Sequence, residues 1–196
     1  MLRRRRTVQG VTLIELMIGI TVLGILIMIG LPAMGHWLQN TQIRTHAETT
    51  FSGLQLARSE ALKRNSSVRF QFVESLTTGC VLTPLGKSWV VSLGDPAGLC
   101  AEEPSETGAM IIQKKDGAEG SPNTVLESSA SVIVFNGLGR MTGGGTLTVN
   151  ITNPAGGVCG TVPGQMRCMR VVVSSGGQVR MCDPQVTDAT DPRICP

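Results

Sequence analysis

The sequence predicts an α+β protein in which one long N-terminal α-helix packs on an antiparallel β-sheet. Three observations lead to this fold class. Residues 16–31 form an uncharged, mostly apolar run, and residues 43–61 carry apolar side chains at helical spacing. Beyond Ser66 the chain changes to short β-prone segments separated by Gly, Pro, Ser and Asn. A helical part followed by a run of strands is typical of α+β architecture.

A basic head precedes the apolar run. Arg3–Arg6 are four consecutive arginines, and Glu15 is the one charged residue between Gly10 and Leu31. The run approaches the roughly 20 residues that a membrane-spanning helix needs, and the arginines favour a cytoplasmic N-terminus. A secretory signal peptide would have a shorter apolar region closed by a small-residue cleavage site. Pro32 and an amphipathic pattern follow instead, so we expect an anchor helix.

Residues 10–15, GVTLIE, resemble the G|FTLIE processing site of type IV prepilins and pseudopilins with a class III-type N-terminus, with Val11 in place of Phe. The resemblance implies cleavage between Gly10 and Val11, and N-methylation of Val11, by a prepilin peptidase. It also implies that the Glu15 carboxylate pairs with the N-terminal amine of a neighbouring subunit during assembly. A carboxylate in a membrane helix needs such a partner.

The amphipathic half of the helix follows Pro32, which we expect to kink the helix or interrupt it briefly. Its apolar stripe is Ile43, Ala47, Phe51, Leu54, Ala57 and Ala61. The polar residues expected mostly on the other faces are Gln42, Arg44, Glu48, Arg58 and Lys63. Residues 54–65, LQLARSEALKRN, resemble the LxxARSEAxxRN signature of GspH/FimT minor pilins, which include FimU-like members. The helix is expected to end near Asn65.

Seven strands are predicted after the helix: 68–73, 89–93, 110–113, 132–135, 147–151, 169–173 and 178–182. Residues 174–177, SSGG, read as the turn of a closing hairpin. Residues 94–120 are an acidic loop that includes Glu106, and residues 137–145 are a second, flexible loop. Residues 135–140, FNGLGR, resemble an FxxxGR turn of the same family.

These patterns predict four parts of the chain. Residues 1–10 are a leader peptide, 11–34 the transmembrane and filament-core half of the helix, 35–65 its amphipathic half, and 66–196 a periplasmic or extracellular β-rich domain with disulfides. We expect the subunit to lie first in the bacterial inner membrane and then in a pilus at the cell surface.

Six cysteines lie beyond the apolar run: Cys80, Cys100, Cys159, Cys168, Cys182 and Cys195. An even number in an exported domain indicates disulfides, whereas zinc sites normally use closely spaced ligand pairs that this chain lacks. Cys80–Cys100 would close the loop between the first two strands. For the other four, Cys168–Cys182 across the hairpin with Cys159–Cys195 competes with Cys159–Cys168 and Cys182–Cys195.

Charge gives little support for nucleic-acid binding. Lys+Arg is 17 and Asp+Glu is 14; without Arg3–Arg6 the counts are 13 and 14, a formal charge of −1. Four arginines nevertheless lie in an acid-free stretch, residues 128–182: Arg140, Arg167, Arg170 and Arg180. Within the family, FimT-like pilins of natural transformation bind DNA through a GRxR motif. Residues 177–180 here read GQVR, so only Arg180 carries over, and the preferred interpretation is strand surface or subunit contact.

The resemblance implies a minor pilin of a type IV pilus, present at low abundance near the tip, that acts in pilus assembly and initiation and supports twitching motility and adhesion. Its expected partners are other major and minor pilins, the prepilin peptidase and the inner-membrane assembly platform. Two alternatives are a DNA-binding pilin for DNA uptake and an H-type pseudopilin of type II secretion. We expect no enzyme, cofactor or metal, since His36 and His46 lie on the helix without a nucleophile or cysteine beside them.

Overall fold

The structure, a computed structural model, describes residues 11–105, 108–160 and 165–196, with only the backbone of residues 29–33. The predicted leader and Glu106 lie outside the described residues. One helix, α1, spans Leu13–Arg64. Eight strands lie within the described residues: β1 Val68–Val73, β2 Ser88–Ser92, β3 Ile111–Lys115, β4 Val125–Ser128, β5 Val132–Phe135, β6 Leu147–Thr152, β7 Met169–Val173 and β8 Val179–Cys182. Two compact units, Met1–Gly35 and His36–Pro196, divide within α1.

Helix α1 continues through Pro32 without a break, so a brief interruption does not occur there, whereas the alternative of a kink stays a prediction. A proline removes one backbone hydrogen bond, and the helix continues with the bonds on either side. The end of α1 agrees with the prediction. Asn65 has φ +47°, and the amides of Asn65 and Ser66 donate to the carbonyls of Leu62 and Ala61. This is the Schellman pattern, in which a left-handed residue closes a helix.

The predicted apolar stripe is the buried face of α1. Ile43, Ala47, Leu54, Ala57 and Ala61 are fully buried, and Phe51 packs beside them half-buried.

Gln42 was expected on a polar face, and this prediction is wrong. Its side chain is buried because its Oε1 accepts a hydrogen bond from Asn153 Nδ2 at 3.3 Å. Its backbone carbonyl also accepts from the Ser121 hydroxyl at 2.9 Å. A buried amide with such partners avoids the desolvation penalty that would otherwise keep it at the surface.

The strands form two antiparallel four-stranded sheets rather than one, in the orders β3-β2-β1-β5 and β4-β6-β7-β8. The buried face of α1 and the inner faces of both sheets share one hydrophobic core. Strand β4 was missed in the sequence because it has four residues and only Leu126 is buried. The other seven strands agree with prediction to within two residues at each end.

A second, smaller core covers the outer face of the first sheet. Val73 and Val90 contribute from β1 and β2, and the Cys80–Cys100 disulfide lies against them. The loop that joins β2 to β3 therefore packs on the sheet through this disulfide and Ala109.

The pairing of the four C-terminal cysteines is Cys159–Cys168 and Cys182–Cys195. The cross-hairpin pair Cys168–Cys182 is thus wrong, for a reason of register. Cys182 lies opposite Arg170, so Cys168 precedes β7 and has no position across the ladder. The turn itself is as predicted: the Gly177 amide donates to the Ser174 carbonyl, and Gly177 has φ +78°.

Candidate assembly surface and arginine cluster

The N-terminal turn of α1 is capped by Thr12. The Thr12 hydroxyl accepts a hydrogen bond from the Glu15 backbone amide at 3.3 Å, and the Thr12 carbonyl accepts from Leu16. Thr-x-x-Glu is the capping-box spacing, so residues 12–15 could have been recognised as a helix start from the sequence. Gly10 lies outside the described residues, and Val11 immediately precedes this cap. The predicted cleavage would therefore expose an amine one residue before the helix cap.

The Glu15 carboxylate is exposed and has no hydrogen bond or ion pair with any residue in the described ranges. It belongs to a segment whose large apolar side chains, from Val11 to Met28, are each between 49% and 80% exposed. A helix that is apolar all round is normally covered by protein or lipid. In the part of the chain that the structure describes, no helix is long and apolar enough to cross a membrane.

Two of the four candidate arginines share one face of the closing hairpin. Arg180 pairs with Val172 across β7 and β8, and Arg170 lies two residues before Val172. Alternate residues of a strand point the same way, so both arginines lie on the face opposite the core residues Val171 and Val173. Arg170 Nε donates to Asn150 Oδ1 at 2.7 Å. Arg180 is exposed and has no polar partner among the described side chains.

The other two arginines lie outside the β7–β8 ladder. Arg140 is exposed in the turn beside the hairpin loop, where Met141 donates to the Ser175 carbonyl. Arg167 precedes β7, and its Nη1 lies 3.4 Å from Asp183 Oδ2. Residues 128–182 contain no acidic residue, but Asp183 therefore lies beside one of their arginines in the folded protein.

The GQVR segment has mainly a structural role. Gly177 is required by its left-handed φ and by the neighbouring Gly139, whose carbonyl oxygen a Cβ on Gly177 would overlap. Val179 is buried in the core. Only Arg180 of this segment presents a charged group to solvent.

His46 is a packed core residue, 2% exposed, whereas His36 is exposed. The Nε2 of His46 lies 3.2 Å from the Lys87 carbonyl oxygen, and Nδ1 lies 2.7 Å from the Thr124 hydroxyl. Burial lowers the pKa of His46 below its usual value and outweighs the hydrogen bond to the Lys87 carbonyl, which favours the charged ring. In the neutral ring, Nε2 donates to the Lys87 carbonyl and Nδ1 faces the Thr124 hydroxyl, whose one proton is shared with the Ser121 carbonyl 2.8 Å away. No cysteine is left free to join a histidine at a metal, since all six form disulfides.

Two features define the class of protein. The N-terminal helix begins with an apolar segment that carries one carboxylate in its first turn, and a disulfide-bonded antiparallel β domain follows it. Together with the matching family models, they define a type IV pilin-like subunit, a minor pilin or pseudopilin. The family model described as Type II transport protein GspH matches residues 46–177, more than half of the chain, and the chain belongs to this family. The model of the prokaryotic N-terminal methylation motif matches residues 5–31. The predicted family and α+β fold are confirmed.

The comparison with solved structures finds a minor pilin, a minor pseudopilin and GspH of E. coli, all at low sequence identity. The type IV minor pilin FimU of Pseudomonas aeruginosa has a TM-score of 0.49 and 16% identity, over 74% of this chain and 99% of that one. The minor pseudopilin EpsH of the Vibrio cholerae type 2 secretion system has a TM-score of 0.46 and 12% identity, over 74% and 99%. GspH of E. coli has a TM-score of 0.43 and 15% identity, over 76% and 92%. No curated protein sequence matches the chain.

Proposed function

We propose that the protein is a minor pilin of a type IV pilus, incorporated at low abundance near the tip and acting in pilus assembly and initiation. The observation that carries this proposal is the uncovered start of α1. Its large apolar side chains from Val11 to Met28 are all at least 49% exposed, and Glu15 has no ion pair among the described residues. So much apolar surface is unfavourable in water. An inner-membrane bilayer and then the core of a filament would cover it in turn.

Processing prepares the subunit for assembly. A prepilin peptidase cuts between Gly10 and Val11 and methylates the Val11 amine, which removes the arginine-rich leader. The new N-terminus then lies directly before the Thr12 cap of α1. Replacing Gly10 by a bulky residue should block the cut, and the leader would remain on the purified protein.

Glu15 sets the register between subunits. In the filament core its carboxylate pairs with the N-terminal amine of a neighbouring pilin. Removing one member of a buried ion pair leaves an uncompensated charge, at a cost of roughly 3–5 kcal/mol. The β-rich domain, held by three disulfides, stays outside and contacts other major and minor pilins as well as surfaces to which the cell adheres.

Two other functions have one supporting observation each. DNA uptake is supported by Arg170 and Arg180, which share the outer face of the hairpin. Type II secretion, with this chain as the H-type pseudopilin, is supported by the description of the matching family. Strand faces with two arginines are common on protein surfaces, so we rank DNA uptake below the pilus assignment.

A clean deletion in the source bacterium separates the three functions. Surface pili, twitching, DNA uptake and release of secreted proteins are scored in one strain, with the intact gene restored as control. Loss of pili and twitching supports the minor pilin. Normal pili with lost DNA uptake supports the DNA receptor, and normal pili with retained secretory proteins supports the pseudopilin.

A further inference from the structure

A cleft of about 440 Å³ lies between α1 and the C-terminal part of the chain. Its wall on the helix side includes Arg44, and the opposite walls carry Arg167 and Arg193. Met169 and Met181 contribute apolar surface to it. Three segments that are far apart in sequence therefore bring three arginine residues to the lining of one cleft.

The cleft is built into the fold. Asn40 Oδ1 accepts a hydrogen bond from the Arg167 backbone amide at 2.7 Å, which ties the start of β7 to α1. The Asp183 amide donates to the Arg193 carbonyl at 2.8 Å, and the Cys182–Cys195 disulfide holds the tail beside β8. The arginines are thus carried by segments that are fixed to one another before any ligand arrives.

Acidic neighbours position the arginines and leave donors for a ligand. A guanidinium has five N–H donors. Arg44 uses one of them on Glu48 at 2.7 Å, and Arg193 uses two on Asp191 at 2.6 and 3.0 Å. The remaining N–H groups of both side chains can donate to an incoming carboxylate in the bidentate geometry that arginine favours.

The local charge selects the class of partner. Glu48, Asp183 and Asp191 balance the three arginines. A cleft without net charge does not attract a polyanion over a distance, as DNA or an anionic membrane surface requires. It can still recognise a single carboxylate at short range. The methionines add a flexible apolar surface that adapts to a partner side chain.

We propose that this cleft receives an acidic side chain, with an apolar neighbour, from an adjacent pilin subunit. This inference rests on the proposed function, because it names the surface through which the β-rich domain contacts the next subunit. Arg44 and Arg193 grip the carboxylate, and Met169 and Met181 receive the apolar group. Nothing is transferred or bonded covalently.

Site-specific photo-crosslinking in the source bacterium tests the inference. The full chain carries p-benzoylphenylalanine in place of Met181 or, in a second strain, in place of Met169. Filaments are purified, the subunit is detected in them, and crosslinked partners are identified by mass spectrometry. We expect a crosslink to a pilin of the same filament, at a segment that contains Asp or Glu.

Charge reversal provides the matched comparison. R44E/R193E should lower the crosslink yield by about tenfold or more, since charge-assisted contacts become like-charge contacts. R140E/R180E makes the same change in net charge at exposed arginines outside the cleft and should leave the yield unchanged. Reversing the partner's acid to lysine should restore crosslinking to R44E/R193E.

The outcomes separate this inference from the function on which it rests. If the chain is absent from filaments, both are overturned. If the chain is in filaments and neither position crosslinks to a pilin, or both crosslink to lipid alone, only the cleft assignment is overturned. The same holds if R140E/R180E lowers the yield as much as R44E/R193E.

Discussion

Arg58 Nε donates a hydrogen bond to the carbonyl oxygen of Gly139 at 3.2 Å, although 81 positions separate the two residues. Arg58 belongs to the ARSEA segment of α1, and Gly139 belongs to the Phe135–Arg140 turn. The hairpin loop packs against the same carbonyl oxygen of Gly139, so closely that a Cβ on Gly177 would overlap it. One carbonyl therefore lies between the helix and the last hairpin, and three sequence motifs converge on it.

Arg58→Met should destabilise the protein by about 1–2 kcal/mol, because it keeps the apolar stem of the side chain and removes the charged donor to Gly139. The free energy of unfolding, measured in urea with the disulfides intact, checks this. Lys63→Met on the same helix is the control, since the Lys63 side chain is 74% exposed and its ion pair with Glu60 should contribute little. Equal losses in the two variants would contradict the role assigned to Arg58.

Gly177→Ala should be more destabilising than Gly143→Ala. Both glycines have left-handed φ values, +78° and +96°, so each alanine has a backbone strain of about 1–2 kcal/mol. A Cβ at Gly143 meets nothing within 4 Å, whereas a Cβ at Gly177 overlaps the Gly139 carbonyl. Gly177→Ala should therefore lose a further 1–3 kcal/mol of stability, roughly the cost of overpacking. Similar unfolding midpoints for the two variants would show that the hairpin loop yields without cost.

Local patterns were enough to predict α1 and seven strands, because helical spacing, β-branched runs and turn residues act over a few positions. The division into two sheets was not predictable in this way. It depends on which strands pair, and β1 pairs with β5 although three strands lie between them in the chain. Gln42 was misplaced for a similar reason, since its partner Asn153 lies 111 residues away.

Register explains the remaining differences at the candidate site. Gly177 carries the left-handed turn, and the ladder pairs Val173 with Val179. The predicted pair of Cys168 with Cys182 requires a hairpin whose centre lies one residue earlier in the chain. The observed ladder puts Arg170 and Arg180 on one face. Arg167 falls outside the ladder and pairs with Asp183, which the sequence pattern alone does not indicate.

The free energy of unfolding should decrease with acidification because of His46. Burial lowers the pKa of His46 in the folded protein, so the unfolded chain binds the proton first as the pH falls below about 6.5. Stability is therefore full above that pH, falls by at most about 1.4 kcal/mol per pH unit below it, and levels off beneath the folded pKa. Urea titrations of the intact protein between about pH 8 and about pH 4 measure how the free energy of unfolding changes with pH.

Two variants isolate the His46 contribution. His46→Gln should be less stable than the parent at high pH, since the contacts with Thr124 and Lys87 change, and should lose part of the pH slope. His36→Gln should keep the parent slope because His36 is exposed. A slope that is the same in all three proteins would assign the acid sensitivity to other groups.

Peptide mapping without reduction should recover Cys159–Cys168 and Cys182–Cys195 as separate linked pairs. The double change Cys182→Ser with Cys195→Ser should release the tail and cost about 2–4 kcal/mol of stability. It should also weaken crosslinking from Met181, because Arg193 lies in the released segment. A linked peptide that joins Cys168 to Cys182 would contradict the hairpin register.

Glu15→Gln should prevent or strongly reduce incorporation into filaments while leaving the fold unchanged. Glutamine keeps the size of the side chain and removes the charge that the neighbouring amine requires, at an expected cost of roughly 3–5 kcal/mol per buried contact. The Glu15 backbone amide remains bonded to Thr12, so the helix cap is not altered. Glu127→Gln is the control, because Glu127 on β4 is exposed and lies outside the cleft that Arg44 lines. The measurement is the ratio of subunit in purified filaments to subunit in membranes. A normal ratio for Glu15→Gln would remove the carboxylate from the assembly mechanism.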